Sequence, residues 1–244
     1  MHRCYIEPGG WGAGALVLDR EEGHHLSHVL RVREGDVVIV FDGRGRRAQA
    51  RVGRVGKSLV LELLTGTEQQ QPEPLRVTLY QAVIKGNRMD LLIEKAAELG
   101  ATTIVPLMTE RTVVRLAGAQ GEERCERWQR IAIGAAKQCG QDWLPEIAPV
   151  VGLDGALGRI RGEALCLLGS LQPEAPSARA VVEARRAAGL ASAAWIIGPE
   201  GDLTEAEQAA CVAAGAVAVR LGPRVLRAET AAIAGLSALV FAVG

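Results

Sequence analysis

Short apolar runs broken by glycine dominate the first part of the chain. The segments "VVIVFDG" (37–43), "RRAQARVGRV" (46–55) and "SLVLELL" (58–64) predict strands of a small sheet or barrel. Ahead of them, "EEGHHLSHVLRVREGD" (21–36) predicts one short helix ended by Gly35. A polar stretch with three glutamines and two prolines, "TGTEQQQPEP" (65–74), then interrupts the pattern. It predicts a domain boundary, with a small β domain over residues 1–70 and a second domain over residues 74–244.

After that linker the rhythm changes. Apolar strand patterns at 75–84, 101–107, 164–170, 193–197 and 216–222 alternate with helical patterns at 87–99, 122–139, 206–214 and 230–243. Buried strands that alternate with helices indicate an α/β domain with a mostly parallel sheet covered on both faces.

Composition narrows the class. Hydrophobic residues make up 48% of the 244, enough for a sizeable core, yet no apolar run reaches about 18 residues. The start, "MHRCYIEPGGWG", has neither an apolar signal core nor an Arg/Ser-rich presequence, which leads to a cytoplasmic expectation. The five cysteines are scattered, odd in number and never spaced C-x-x-C, so neither a disulfide framework nor a zinc site is expected. His24 and His28 have the spacing of two ligands on a helix but lack the glutamate and the third ligand; no metal is expected. Net charge is zero, so the whole-molecule field does not announce a nucleic-acid partner.

Local charge does change the picture. From Arg44 to Lys57 there are six basic residues and no acidic one. In a strand through this segment Arg47, Gln49 and Arg51 share one face, with Ala48, Ala50 and Val52 opposite. That face suits a reader of a phosphate backbone, and equally the solvated outside of a sheet. "FDGRGRRAQ" formally holds a dinucleotide fingerprint, but it opens no helix and reads as a hairpin turn.

The second domain carries the sharper motif, "IIGPEGDLTEAE" (196–207). An apolar strand ends at Gly198, and Gly198 with Gly201 allows a sharp turn and close backbone approach to a ligand. Thr204 and Glu207 fit a capping box, which starts a helix just past the turn. Helix N-termini attract phosphates, but Glu200 and Asp202 would repel one. A ligand with hydroxyls, an ammonium or other positive charge suits these carboxylates better, and S-adenosylmethionine is such a molecule. A tight βα turn with a solvated glutamate remains the alternative. A second strand-Gly-Pro element follows in "VRLGPRVLRAETAA" (219–232), with Arg224, Arg227 and Glu229 crowded between apolar segments. Both turns fall at the carboxyl edge of the sheet, where such folds bind ligands.

These two motifs closely resemble the paired signatures of the RsmE family, the 16S ribosomal RNA uridine N3-methyltransferases of the SPOUT superfamily. The resemblance extends to "HHLSHVLRVREGD", "KGNRMDLLIEKAAELGATTIVPLMTERTVV" and "RWQRIAIGAAKQCGQDWLPEI", in order along nearly the whole chain. It implies a PUA-like RNA-binding β-barrel followed by a SPOUT-type parallel sheet with a C-terminal trefoil knot, in a homodimer. It further implies S-adenosylmethionine held in three knot loops. The first lies around Leu168 and Gly169. The second holds Ile197, Gly198, Pro199, Glu200 and Gly201, and the third Leu221, Gly222, Val225 and Leu226. One departure is Asp202, which stands where the family turn commonly has a second glycine.

For methylation of uracil N3, the reaction the resemblance implies, Arg227 is the expected stabiliser of negative charge on O2 or O4. Glu229 would orient that arginine or help remove the proton; a purely structural Arg-Glu pair is the alternative. RNA contacts are expected from Arg31, Arg47 and Arg51 in the first domain and from Lys85 and Arg88 in the second. Rival readings are a SPOUT methyltransferase of another RNA such as tRNA, and a non-catalytic ribosome assembly factor. A generic nucleotide-binding enzyme falls behind, since no phosphate-binding glycine-lysine loop is present.

Overall fold

The computed structural model describes residues 1–11, 15–18, 20–24, 26–27, 30–55, 58–186 and 189–243. His28 and Lys57, both singled out above, lie outside the described residues. The chain divides into two compact units, Met1–Pro72 with Ile133–Leu144, and Glu73–Ala132 with Pro145–Gly244.

The first unit holds β1 (Arg3–Tyr5), β2 (Ala15–Val17), α1 (Arg20–His24), β3 (Val37–Phe41), β4 (Arg46–Val55), β5 (Ser58–Leu63) and β6 (Glu68–Gln69). Its sheet runs β1-β3-β4-β5-β2, with β6 on β4. The 41–47 segment is the hairpin turn expected: β3 and β4 pair antiparallel with Phe41 opposite Arg47. Asp42 fixes the turn, its Oδ1 accepting from the backbone N–H of Arg44 and Arg46. Alternation along β4 is as read, since Ala48, Ala50 and Val52 are buried while Gln49 and Arg51 are exposed.

The helix expected over 21–36 is a correction. The α-helix covers Arg20–His24, Leu26 and Ser27 form a π-helical turn, and from Leu30 to Asp36 the chain is not helical. Arg31 has φ 54°, outside the right-handed helical region, and Val32 N–H bonds Leu26 O across a wide turn. Leu30 and Val32 prolong the helical spacing of Leu26 beyond the helical turn because all three pack into the core of this unit beside Val38, Val40 and Leu61.

The second unit contains β7 (Arg76–Ala82), α2 (Arg88–Glu98), β8 (Thr103–Met108), most of α3 (Ala119–Cys139), β9 (Glu146–Ile147), β10 (Val151–Gly152) and α4 (Leu153–Ile160). It continues with β11 (Leu165–Gly169), α5 (Ala178–Arg186), β12 (Ser192–Ile197), α6 (Glu205–Ala213), β13 (Val217–Val219) and α7 (Ala228–Val243). The sheet order is β10-β8-β7-β12-β11-β13, with β9 on β8, and every pairing is parallel. This is the α/β class expected.

Both faces of that sheet are covered, which is why β7 and β12 are buried almost throughout. On one face Tyr80, Val105, Leu168 and Ile196 pack with Ala156 and Ile160 of α4 and Cys211 of α6. Alternate positions face the other way: Trp195 lies against α7, where a Cβ at Gly235 would come within 2.1 Å of the indole. Only glycine lets the helix approach so closely. Because β11, β12 and β13 are parallel neighbours, their carboxyl ends open at one edge, at the point where β12 inserts between β7 and β11.

Candidate active site

Three segments leave that edge. After β12 the chain makes a tight turn in which Asp202 N–H bonds Pro199 O at 2.9 Å. A Cβ at Gly198 would stand 3.0 Å from Leu203 N and 3.1 Å from Asp202 Oδ1, so the turn folds back on a residue without a side chain. Asp202 sits at φ 60°, a region where Asp is tolerated and most residues are not, and its Oδ1 accepts from Leu203 N at 2.7 Å. Aspartate can therefore hold this left-handed position, where the family turn commonly has a second glycine. Thr204 then caps α6 in the expected capping box: its Oγ1 accepts from Glu207 N, and Glu207 Oε2 accepts from Thr204 N.

The segment after β13 is tied to the segment after β11. Arg220 N–H bonds Pro176 O, and its Nε donates to Ala175 O, both at 2.9 Å. The three segments enclose a cavity of about 670 Å³, within the range of small-molecule sites.

Of the residues expected to hold a cofactor, Gly169, Ile197, Gly198, Pro199, Glu200, Leu221, Gly222, Val225 and Leu226 line this cavity. Leu168 is buried in the sheet core, and Gly201 is off the wall, its carbonyl held by Arg111 Nη1 at 2.9 Å. Arg227 lines the cavity with its side chain exposed; Glu229 does not line it and is buried. Among the described residues Glu229 is ion-paired with Arg88, Nη1 to Oε2 at 3.8 Å, and not with Arg227.

Arg88, expected among the RNA contacts, is on the cavity wall, and its Nη2 donates to Glu200 Oε1 at 2.8 Å. Lys85 is exposed, and its backbone N–H bonds the same Glu200 oxygen at 3.2 Å. In the first unit Arg31 and Arg51 are exposed, whereas Arg47 is paired with Glu68 at 2.8 Å and Asp142 at 3.3 Å. Sequence reasoning missed Ser170, Leu171, Pro173 and Ala231, which also line the cavity. The segment after β11 carries no Gly-Pro signature, and only its place after an apolar strand could have flagged it.

Burial opposes ionisation of Glu200. Hydrogen bonds from its own backbone N–H and that of Lys85, with the charges of Arg88 and Lys85, outweigh it and hold the carboxyl below its ordinary value. Burial pushes the thiols of Cys166 and Cys211 up to about 12 and about 11, which leaves them as packing groups. Among the described residues, no group of three or more His, Cys, Asp or Glu side chains is placed to hold a metal. Nor is any helix there long and apolar enough to cross a membrane.

The RNA methyltransferase domain family matches residues 71–240, and the RNA methyltransferase PUA domain family matches residues 18–64. Ribosomal RNA small subunit methyltransferase E of Bacillus subtilis is 32% identical over 234 residues, covering 94% of this chain and 91% of the relative. The chain belongs to the ribosomal RNA small subunit methyltransferase E family. The solved methyltransferase E from Neisseria gonorrhoeae, bound to S-adenosyl methionine, is similar at TM-score 0.84 and 34% identity, over 98% of this chain and 96% of that one. A methyltransferase from Legionella pneumophila, in complex with the cofactor SAM, is similar at TM-score 0.86 and 36% identity, over 97% and 96%. The PUA match lies within the small β unit, and the methyltransferase match spans the parallel-sheet unit and also residues 133–144 of the first unit.

Proposed function

We propose that this chain, an S-adenosylmethionine-dependent methyltransferase of 16S small-subunit ribosomal RNA, places the methyl group on N3 of a uridine. The observation that carries the reading is the cavity at the β11-β12-β13 edge, whose glycine turn presents backbone and carboxylate rather than a phosphate nest. Its chemistry fits the cofactor. Ile197, Leu221, Val225 and Leu226 offer apolar walls for an adenosine, and Asp202 complements an ammonium or a sulfonium, the charge of Glu200 being already paired with Arg88. Gly222 leaves space open on the same wall, with nothing within 4 Å of where its Cβ would stand.

When bound, the cofactor supplies an electrophilic methyl group on a sulfonium. The chain's own residues do the rest. The apolar wall gives the adenosine a hydrophobic seat, while the exposed Arg227 leaves its charge at the mouth of the cavity. Arg227 offsets negative charge on O2 or O4 of the uracil as N3 gives up its proton to water. Glu229, buried behind the wall, acts through Arg88 rather than on the base. In the first unit Arg31 and Arg51 are exposed for a phosphate backbone, while Arg47 is largely neutralised by Glu68 and Asp142. The same proposal includes a trefoil knot through the C-terminal loops, a homodimer, and action in the cytoplasm on the assembled small subunit.

The acceptor atom is tested by nucleoside analysis. Ribosomal RNA treated with protein and cofactor, then digested, is expected to yield N3-methyluridine. A ribose-methylated or C5-methylated product would keep the enzyme class and overturn the acceptor.

A further inference from the structure

The geometry points to Arg88 as a positioning residue that ties two loops of the cofactor cavity together, instead of a contact to RNA. This inference rests on the reading of that cavity as the S-adenosylmethionine site. Glu200 belongs to the turn after β12, and Glu229 to the first turn of α7, 29 positions later in the chain. One guanidinium reaches both: Nη2 donates to Glu200 Oε1 at 2.8 Å, and Nη1 stands 3.8 Å from Glu229 Oε2.

Glu229 makes this tie consequential. Its side chain is 11% exposed, and Oε2 is buried with no hydrogen-bond partner. A buried carboxylate without a compensating charge is costly, and Arg88 supplies that charge. Arg88 itself is anchored at the first position of α2, which packs against α7. The planar fork of arginine can serve two carboxylates at once, whereas a lysine ammonium is a point charge on a flexible stem. Most of the positive charge of Arg88 is therefore spent inside the protein, which leaves little for a phosphate.

The test is calorimetric titration of S-adenosylmethionine without RNA, on the full chain, with Arg88→Met, Arg88→Lys and the double variant Glu200→Gln/Glu229→Gln. Hydrogen bonds between charged groups of this kind are worth about tenfold in affinity. Arg88→Met is expected to weaken cofactor binding about tenfold, Arg88→Lys to restore only part, and the glutamine pair to reproduce the loss with Arg88 intact. In methyl-transfer assays KM for the cofactor should rise while KM for rRNA stays within about twofold, a split that general destabilisation does not produce. The salt dependence of rRNA binding should keep its wild-type slope.

Unchanged cofactor affinity in Arg88→Met, or a salt slope reduced by about one, would overturn the inference and return Arg88 to the RNA face. Should Arg88→Met fail to fold, the glutamine pair decides: wild-type cofactor affinity there overturns the tie. A wild-type chain that binds no cofactor would instead defeat the reading of the cavity itself.

Discussion

Arg111 Nη1 donates to the carbonyl oxygen of Gly201 at 2.9 Å, bracing the glycine turn from the segment that follows β8. The same segment offers Glu110 N–H to Glu207 Oε1 at 2.8 Å, so turn and helix start are held together. Arg111 is exposed, and its removal costs little packing. Arg111→Ala should weaken S-adenosylmethionine binding by about three- to tenfold in calorimetry, with a melting temperature close to wild type. Unchanged affinity would mean that the turn holds its shape without the brace.

Gly198 and Gly201 differ in what they tolerate. A Cβ at Gly198 meets the backbone nitrogen of Leu203 at 3.0 Å, whereas at Gly201 the nearest atom is the Cβ of Arg111 at 3.4 Å, an ordinary contact. Gly198→Ala should therefore destabilise by about 1–3 kcal/mol and weaken cofactor binding, while Gly201→Ala leaves both near wild type. Urea unfolding paired with cofactor titration separates the two. Equal effects at both positions would contradict the distinction.

Glu200 sets a pH dependence whose sign follows from its lowered pKa. A carboxyl held below its unfolded value contributes stability above that value, about 4.5, and loses it as pH falls through the folded pKa. Glu200→Gln should melt below wild type at pH 7, and the gap should close as pH drops below about 4.5. Thermal melts across that range check it; a gap constant with pH would place the effect in packing rather than charge.

Arg227 faces the cavity without a share in the Glu229 ion pair, so its charge is available to a substrate. Arg227→Ala is expected to lower kcat by about 10²-fold, as loss of one charge-stabilising donor typically does, and to change cofactor affinity by less than about threefold. A parallel loss of both would favour a structural role in shaping the loop.

Much of this was legible in the residues. Gly-Pro turns after apolar strands marked two cavity walls because tight turns have strict residue demands. Thr204 and Glu207 marked the helix start because capping is local. The face alternation of β4 was readable for the same reason, since burial follows the pleat. What failed depended on distant partners. Leu30 and Val32 imitate a longer helix because the core of the small unit asks for them, while Arg31 at φ 54° breaks the run. The partner of Glu229 is more than 140 positions away, so proximity in sequence suggested Arg227 and the fold supplied Arg88. Short strands such as β1 and β6 carry too few residues to show a period.

The central claim is met most directly by transfer of labelled methyl from S-adenosylmethionine, with small ribosomal subunits and tRNA offered as separate substrates. The expected result is label in 16S rRNA of the small subunit and none in tRNA. Label confined to tRNA, or cofactor bound with no label in either RNA, would contradict it.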